Sequence, residues 1–500
     1  MKKYNYLFFC SVIASIVLTI TYMTVVSYFA TVPAYLDGNL SNAFSGGKRD
    51  FLTILLLIIL PIFIMATAII AIQSYKTSHK GKELDCKSNK NILSISPILF
   101  FIICSSVVTV FSIIFVIVHR NTIWDHHVFL FGENRFMDFF NHITYAQFPK
   151  TTYEQSEHAC FPPLAYLMYL LFSRLLPMDS ILEYHEANPS KFAMTSAYAT
   201  LLYIIYTIIL CVLVFQLVKK YLYRFGSGTS TIVFILILLS NFFISTVERG
   251  NSVLIVLALL LGALLLKDSK SPVRREVALI LIAIATGFKI YPAIFGVLYI
   301  IERRYKEALR LMVYGALFFF VPFAFFGGVD GFKHFMLNQL TIHGELYSSL
   351  QSISSSICLI SEKITGNITT FSVVAKIAPI VFGLACIVAA SCKRIESWER
   401  LFLICSIIVF CPSWSGNYTL IYFVIPMLVF FKDSFSANCA KPAKHYYVVA
   451  FGFSLVFSMI SFVTASGKLV SNISYIALYL ICLIIIGKTL FYRIKPKNSI

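Results

Sequence analysis

Apolar stretches long enough to cross a lipid bilayer recur from one end of this 500-residue chain to the other. A transmembrane helix needs about 20 predominantly apolar residues, and the sequence contains many runs near that length. They begin near Tyr6, Phe51, Leu93, Phe192, Thr231, Ser252, Val277, Ala308, Phe371, Leu401, Tyr418, Tyr446 and Ser471. Hydrophobic residues make up 58% of the chain and charged residues only 13%, about half the charged share of a soluble domain. The sequence therefore predicts an all-α, polytopic membrane protein.

The distribution of charge indicates how such a protein is oriented. The formal net charge is +18, and most of the 41 Lys and Arg residues lie in short links between apolar runs. Basic links remain on the cytoplasmic side of a membrane, which places both termini in the cytoplasm. Outside the apolar runs the sequence has no basic stripe with interleaved aromatic residues, so the charge does not predict nucleic-acid binding.

This orientation gives about 14 membrane segments and two long extracytoplasmic loops. It requires that residues 162–176 do not cross the membrane and that residues 277–301 fold back as two short helices at a break around Lys289. Broken helices are tolerated where they line a polar cavity. The alternative is a full crossing after Pro162 and one long span over 277–301. The predicted organisation is three N-terminal spans (1–118), a catalytic loop with juxtamembrane helices (119–191), core spans (192–327), a second loop (328–370) and C-terminal spans (371–500).

The first outer loop contains the longest polar interruption of the chain, over residues 133–166. Within it, Asp138 and His142 are four residues apart and share one face of a helix that is otherwise rich in aromatic residues. A partly desolvated carboxylate is suited to act as a general base for an incoming hydroxyl group. Asp125, at the start of the loop, competes for this role. A surface Asp–His pair in an ordinary loop is the alternative without chemistry.

Two cations interrupt apolar sequence on the predicted outer face. The tetrapeptide 248–251 (Glu-Arg-Gly-Asn) separates two apolar runs, and Lys289 lies in the helix break just before Tyr291. Charges at membrane depth cost about 2.5–3.5 kcal/mol each, so they tend to be paired or functional. The Arg249 guanidinium suits phosphate oxygens, and the Lys289 ammonium suits an anion such as a lipid phosphate. The alternatives are a Glu248–Arg249 pair that closes a tight hairpin, and a Lys289 that only extends toward water.

A link between two late apolar runs carries Trp414, Asn417 and Tyr418. Stacking on an aromatic ring together with hydrogen bonding to an amide suits the recognition of a sugar. The same residues fit the aromatic belt found at membrane–water interfaces. Both interpretations stay open.

No metal or cofactor site is predicted. The histidine pair His126-His127 lacks a second group of ligands at metal-binding spacing. The 12 cysteines lie mostly within apolar runs, where cysteine behaves as a small hydrophobic residue. No cysteine pair has the spacing of a metal or redox site.

These motifs, in their order along the chain, resemble the membrane glycosyltransferases of the GT-C superfamily. Within that superfamily the chain resembles the bacterial polyprenol-phosphate-sugar-dependent mannosyltransferase-like proteins, with Phe161 where that group usually has tyrosine. The motifs that carry the resemblance are Asp138-Phe139, Tyr145-Ala146, Phe161-Pro162-Pro163-Leu164, Glu248-Arg249-Gly250-Asn251, Lys289-Ile290-Tyr291-Pro292, Arg303-Arg304 and Asn417-Tyr418.

The resemblance implies a GT-C-like helical bundle and an inverting transfer of a sugar from a polyprenyl-phosphate donor to a glycan or lipid acceptor. It implies that Asp138 is the base and that Arg249 and Lys289 hold the leaving phosphate. The predicted substrate-binding residues are His142, Glu248, Arg249, Asn251, Lys289, Tyr291, Asn417 and Tyr418. This scheme requires no metal ion. It implies a multi-pass protein of the bacterial cytoplasmic membrane that makes cell-envelope glycan or glycolipid.

Two other functions suit a chain with many spans. A surface-polysaccharide polymerase or ligase is expected to carry arginines in two outer loops, and the outer loops here contain few. A flippase or transporter of lipid-linked oligosaccharides is expected to have inverted halves and charges deep in several spans. No such halving is visible in the sequence.

Overall fold

All of the described secondary structure is helical. The computed structural model describes residues 96–118, 136–176, 197–347, 349, 351–413, 415–437, 444–457 and 471–494. The all-α prediction is confirmed for this part of the chain. The predicted spans that begin near Tyr6 and Phe51 lie outside the described residues, as do Asp125, the histidine pair after it, and Trp414.

The described helices vary widely in length. In chain order they are α1 (Pro97–Val118), α2 (Met137–Ala146), α3 (Pro163–Leu175), α4 (Ala197–Tyr221), α5 (Ser227–Leu238), α6 (Asn241–Arg249), α7 (Val253–Leu266), α8 (Pro272–Phe288), α9 (Gly296–Ile301), α10 (Tyr305–Phe320), α11 (Gly328–Gly344), α12 (Ile353–Thr365), α13 (Ser372–Ala390), α14 (Ser397–Phe410), α15 (Val424–Ala437), α16 (Lys444–Val456) and α17 (Ser471–Ile494). Longer 3₁₀ segments cover Tyr291–Phe295, Val321–Phe325 and Asn417–Phe423.

Four of these helical segments are long and apolar enough to cross a membrane: Tyr198–Tyr221, Tyr305–Phe325, Ser372–Ala390 and Ser474–Tyr492. A fifth span results if α5 and α6, which are bent by 61° at a short break, are counted as one. These helices indicate an integral membrane protein. The predicted number of about 14 segments stays a prediction, because many described helices are shorter than the roughly 20 residues of a simple span.

The chain groups into two compact units. The first takes the described residues of 1–135, 193–248 and 428–477. Aromatic rings form much of its core: Phe101 lies 5.0 Å from Phe431 and Phe242 lies 4.8 Å from Phe457, centroid to centroid. These rings are almost completely buried, so burial of aromatic surface stabilises this unit.

The second unit takes the described residues of 136–192, 249–427 and 478–500. In it, α8 packs between α7 and α10 and also contacts α3, which in turn packs on α2. Ser271 caps α8 by accepting the backbone N–H of Arg274, and Pro272 occupies the first turn. Near the start of α8, the Nζ atom of Lys267 lies 2.6 Å from Oε1 of Glu302. This ion pair ties the end of α7 to the end of α9.

The structure gives helix boundaries for residues 162–176 and 277–301, the two segments for which the sequence left open whether they cross the membrane. Helix α8 ends at Phe288 and the next helical segment begins at Tyr291, so the chain is broken at the lysine where a break was expected. Helix α3 has 13 residues, fewer than a bilayer-spanning helix needs. This length favours the interpretation in which residues 162–176 do not cross.

Candidate active site

The buried face of α2 carries Asp138. Asp138, Phe139 and His142 are all buried, and their spacing places the carboxylate and the imidazole one turn apart on that face. The Phe139 ring packs 5.1 Å, centroid to centroid, from Phe172 of α3. The aromatic side chains of α2 therefore contact protein and hold the carboxylate on the inner side of the helix.

Asp138 accepts hydrogen bonds from two residues that precede α7. The Arg249 guanidinium faces the carboxylate with two nitrogens, Nη2 at 3.0 Å from Oδ1 and Nε at 3.4 Å from Oδ2. Asn251 donates from Nδ2 to Oδ2 at 2.6 Å. The Asn251 Oδ1 atom accepts the backbone N–H of Val253 at 3.2 Å, which fixes the orientation of the amide. Both oxygens of Asp138 are thus engaged by donors.

Gly250 allows this close approach. Its φ is +68°, a left-handed conformation that glycine adopts without steric cost. A Cβ atom at this position would lie 2.7 Å from the Cβ of Phe139 and 3.3 Å from the Cα of Phe136. The peptide that carries Arg249 and Asn251 therefore rests directly on α2, and no larger residue fits between them.

These surroundings lower the pKa of the Asp138 carboxyl group. Burial alone raises this pKa, but Arg249, His142 and Lys289, together with the hydrogen bond from Asn251, outweigh burial. Asp138 is therefore a carboxylate at neutral pH. It is a weak base as long as both donors hold it, because each of them stabilises the charged form.

Lys289 reaches the site from the break after α8. Its Nζ atom lies 3.2 Å from the centroid of the Phe161 ring, a cation–π contact. Within the described part of the chain no carboxylate forms an ion pair or hydrogen bond with this ammonium. Burial lowers the pKa of Lys289 to about 8, so the side chain is mostly charged at neutral pH.

His142 lies on the other side of the same ring. Its imidazole stacks on Phe161 with 3.7 Å between centroids, and Nδ1 lies 2.9 Å from the hydroxyl of Tyr166 in a hydrogen bond. Burial lowers the pKa of His142 to about 3. The imidazole is therefore neutral at physiological pH.

These side chains line a cavity of about 710 Å³, a volume typical of small-molecule sites. Seven of the nine predicted site residues line it: Asp138, His142, Arg249, Asn251, Lys289, Tyr291 and Tyr418. Glu248 and Asn417 do not. Glu248 is buried in the first unit, and Asn417 accepts a hydrogen bond from Gln351 at 3.4 Å. Among the described residues no group of three or more potential ligands is placed to hold a metal ion.

A comparison with models of known protein families identifies the enzyme class of this chain. The model of glycosyltransferase family 87 matches residues 160–413, half of the sequence. The chain belongs to glycosyltransferase family 87. It is therefore a glycosyltransferase, consistent with a GT-C-type membrane enzyme. No curated protein and no solved structure matches the chain.

The family 87 match covers most of the cavity but not all of it. Phe161, Arg249, Asn251 and Lys289 lie within the matched residues, whereas Asp138 lies before them. The carboxylate is nevertheless bound directly by two of the matched residues. The structure thus joins Asp138 to the part of the chain that defines the family.

Two amide side chains in the matched region, those of Asn338 and Gln339, were not predicted from the sequence. Asn338 of α11 donates from Nδ2 to three backbone carbonyls, those of Tyr153 at 2.9 Å, Ser156 at 3.2 Å and Ala159 at 3.1 Å. Its neighbour Gln339 donates to the carbonyl of Cys160. Together they fix the segment that leads into Phe161. The adjacent Asn-Gln pair, flanked by Leu337 and Leu340, was a signal that could have identified them.

Several other cavity residues were not among the predicted ligands. They are polar or aromatic side chains from the segment before α3, from the end of α11 and from the link after α14: His158, Cys160, Phe161, Gln339, His343 and Ser413. His343 and Ser413 are hydrogen-bonded to each other. No spacing pattern joins them in the sequence, because 70 residues separate the two.

Replacement of Gly287 by alanine is expected to move Lys289 away from the cavity. A Cβ atom on Gly287 would lie 3.1 Å from the Cβ of Leu164 in α3 and 3.1 Å from the carbonyl oxygen of Phe318 in α10. The variant Gly287→Ala is therefore expected to lose about 1–3 kcal/mol of unfolding free energy through overpacking. Its KM for the sugar donor should rise, as measured with purified protein in detergent.

Gly315→Ala is the matched control. Gly315 also lies within a helix, but nothing is found within 4 Å of its added Cβ, so alanine is expected to leave stability equal or slightly higher. Wild-type stability and KM in Gly287→Ala would show that α8 tolerates displacement from α3.

Proposed function

We propose that the protein transfers a sugar from a polyprenyl-phosphate carrier to a hydroxyl group of a glycan or lipid acceptor, at the extracytoplasmic face of the membrane. The observation that carries this proposal is the convergence of Asp138 with two cations, Arg249 and Lys289, in one cavity. An inverting glycosyltransferase needs a base for the acceptor and positive charge for the leaving phosphate. The proposed location is the bacterial cytoplasmic membrane, and the proposed product is a cell-envelope glycan or glycolipid.

The transfer is a single displacement at the anomeric carbon. The acceptor oxygen attacks the face opposite the phosphate, and its proton moves to the carboxylate of Asp138. A bond forms between the anomeric carbon and the acceptor oxygen. The bond from that carbon to the phosphate oxygen breaks, and its electron pair stays on the polyprenyl phosphate. Arg249 and Lys289 stabilise the developing charge, and the anomeric configuration inverts.

The ion pair between Arg249 and Asp138 fits the state before donor binding. A donor phosphate competes with the carboxylate for the guanidinium, because the planar fork of arginine suits both anions. When Arg249 turns to the phosphate, the pKa of Asp138 rises, since one of the interactions that stabilise the carboxylate is lost. Donor binding then converts a weak base into a stronger one at the moment the acceptor needs it.

Two observations support a lipid-linked donor. Nucleotide sugars are cytoplasmic, so a site on the predicted outer face requires a sugar that has crossed the membrane on a carrier. The cavity also has an apolar side with Ile342, Leu346 and Ile380. Ile380 lies on α13 and is 65% exposed, so the cavity reaches the apolar surface of a helix that is able to span the membrane.

Purified protein in proteoliposomes tests the proposal. With a lipid extract as acceptor, a radiolabelled polyprenyl-phosphate sugar is expected to yield a labelled product of inverted anomeric configuration, and labelled nucleotide sugars are expected to yield none. Protein-free liposomes serve as the control. Direct use of a nucleotide sugar, or movement of the lipid across the bilayer without a new glycosidic bond, contradicts the proposal.

A further inference from the structure

The Phe161 ring has a different group on each of its faces. The Lys289 ammonium lies 3.2 Å from the ring centroid, and the His142 imidazole lies 3.7 Å from it. At these distances both groups lie over the ring rather than at its edge. Because they cannot occupy the same volume, they lie on opposite faces. The ring is therefore held between a neutral heterocycle and a cation.

The position of the ring is fixed by its own backbone. Phe161 precedes Pro162, and a residue before proline is restricted to extended conformations. Its carbonyl accepts a hydrogen bond from the Tyr153 hydroxyl at 3.0 Å, and the residue is only 8% exposed. Pro163 then begins α3 at once. The ring thus has little freedom to move away from either neighbour.

The ring stabilises Lys289 in a different way from an acid. A carboxylate partner would neutralise the ammonium and compete with any anionic ligand for it. The face of an aromatic ring attracts a cation through its quadrupole and leaves the full charge in place. Asp138, the carboxylate whose charge acts on Lys289, is occupied by Arg249 and Asn251. Lys289 is consequently buried and charged without an acidic partner among the described residues.

We propose that Phe161 is a positioning residue that holds the Lys289 ammonium in the cavity as an unneutralised cation for the leaving phosphate. This inference rests on the proposed function and deepens it. His142 packs on the face of the ring opposite Lys289, and the hydrogen bond between His142 and Tyr166 holds the imidazole in place. A protonated imidazole there would oppose the ammonium across the ring, so the neutral state of His142 belongs to the same arrangement.

Stepwise fluorination of the ring tests the inference with almost no change in shape. Phe161 is replaced by mono-, di-, tri- and pentafluorophenylalanine, each of which withdraws more electron density from the ring face. The kcat/KM for the polyprenyl-phosphate donor is expected to fall in the same order, by about 30-fold in total. The alkaline limb of the pH profile, near pH 8 where Lys289 loses its proton, is expected to move to lower pH, because a weaker ring face favours the neutral amine.

Two controls separate positioning from packing. In a Lys289→Arg background the guanidinium stays charged at these pH values, so the alkaline limb near pH 8 should be absent and fluorination of Phe161 should not restore it. Fluorination of Phe402, a buried ring of α14 that does not line the cavity, should change neither kcat/KM nor the limb.

The outcomes distinguish this inference from the proposed function. Equal kcat/KM and an unmoved alkaline limb across the Phe161 series, with Asp138→Asn inactive, overturn the positioning role and leave the transferase proposal standing. Normal transfer by Asp138→Asn overturns the proposed function itself.

Discussion

Asp138→Asn is expected to lower kcat for sugar transfer by about 10²–10⁴-fold, the range that general-base catalysis contributes. The amide keeps the size of the side chain but cannot accept the acceptor proton. KM for the donor should change far less than kcat, because the two cations that bind the phosphate remain. Single-turnover measurements with a labelled polyprenyl-phosphate sugar, in saturating donor, provide the comparison.

Folding must be measured in parallel with this variant. The change removes the acid that neutralises Arg249, a partly buried cation, so the loss should be below the roughly 3–5 kcal/mol that a fully buried charge loses with its partner. Asp138→Glu preserves the charge and moves the carboxylate by one methylene, so it should fold normally and still lose most of the activity. Asp330→Asn is the matched control, since this exposed acid pairs with Lys333 on the surface. Full activity in Asp138→Asn would refute the base assignment.

Gly250→Ala is expected to disrupt both the fold and the site. An alanine at φ +68° costs about 1–2 kcal/mol in backbone strain, and its Cβ would lie 2.7 Å from the Cβ of Phe139, which adds about 1–3 kcal/mol of overpacking. To relieve the contact, the peptide must move off α2, and Arg249 and Asn251 move with it. Transfer activity is therefore expected to fall to a level near that of Asp138→Asn.

A second glycine isolates the contribution of the contact. Gly366 also has a left-handed φ, +74°, but an added Cβ meets nothing within 4 Å. Gly366→Ala should lose only the backbone term, about 1–2 kcal/mol, and should retain full activity. Unfolding free energies of both variants in detergent give the comparison. Equal losses in the two would mean that the contact between residue 250 and α2 has no energetic importance.

The sequence predicted which residues lie in the site better than it predicted which of them bind each other. The spacing of Asp138 and His142 was enough to place them on one helical face. The same was true of the break at Lys289, where a Gly-Phe-Lys-Ile-Tyr-Pro segment interrupts an apolar run. The partner of Arg249 was not predictable, because 111 residues separate it from Asp138. No local periodicity encodes such a contact, and the sequence suggests only a phosphate or the adjacent Glu248 as the partner of Arg249.

The number of spans was the least predictable feature, for a physical reason. Hydropathy counts apolar residues and does not register where a helix bends. The apolar run that begins near Thr231 forms two helices bent by 61° in the structure, and the run from Ser252 forms a helix of only 14 residues. Short or bent helices of this kind stay invisible to a window of span length.

The amide of Asn338 recognises only main-chain oxygens. Carbonyl groups are present whatever side chains the segment carries, so the hydrogen bonds of Asn338 do not depend on the side chains of the residues that it holds. A change in an exposed side chain such as His158, which lines the cavity, therefore leaves intact the hydrogen bonds that position the segment before Phe161. One helix residue in this way fixes the path of a cavity-lining segment and leaves the chemistry of its exposed side chains open to change.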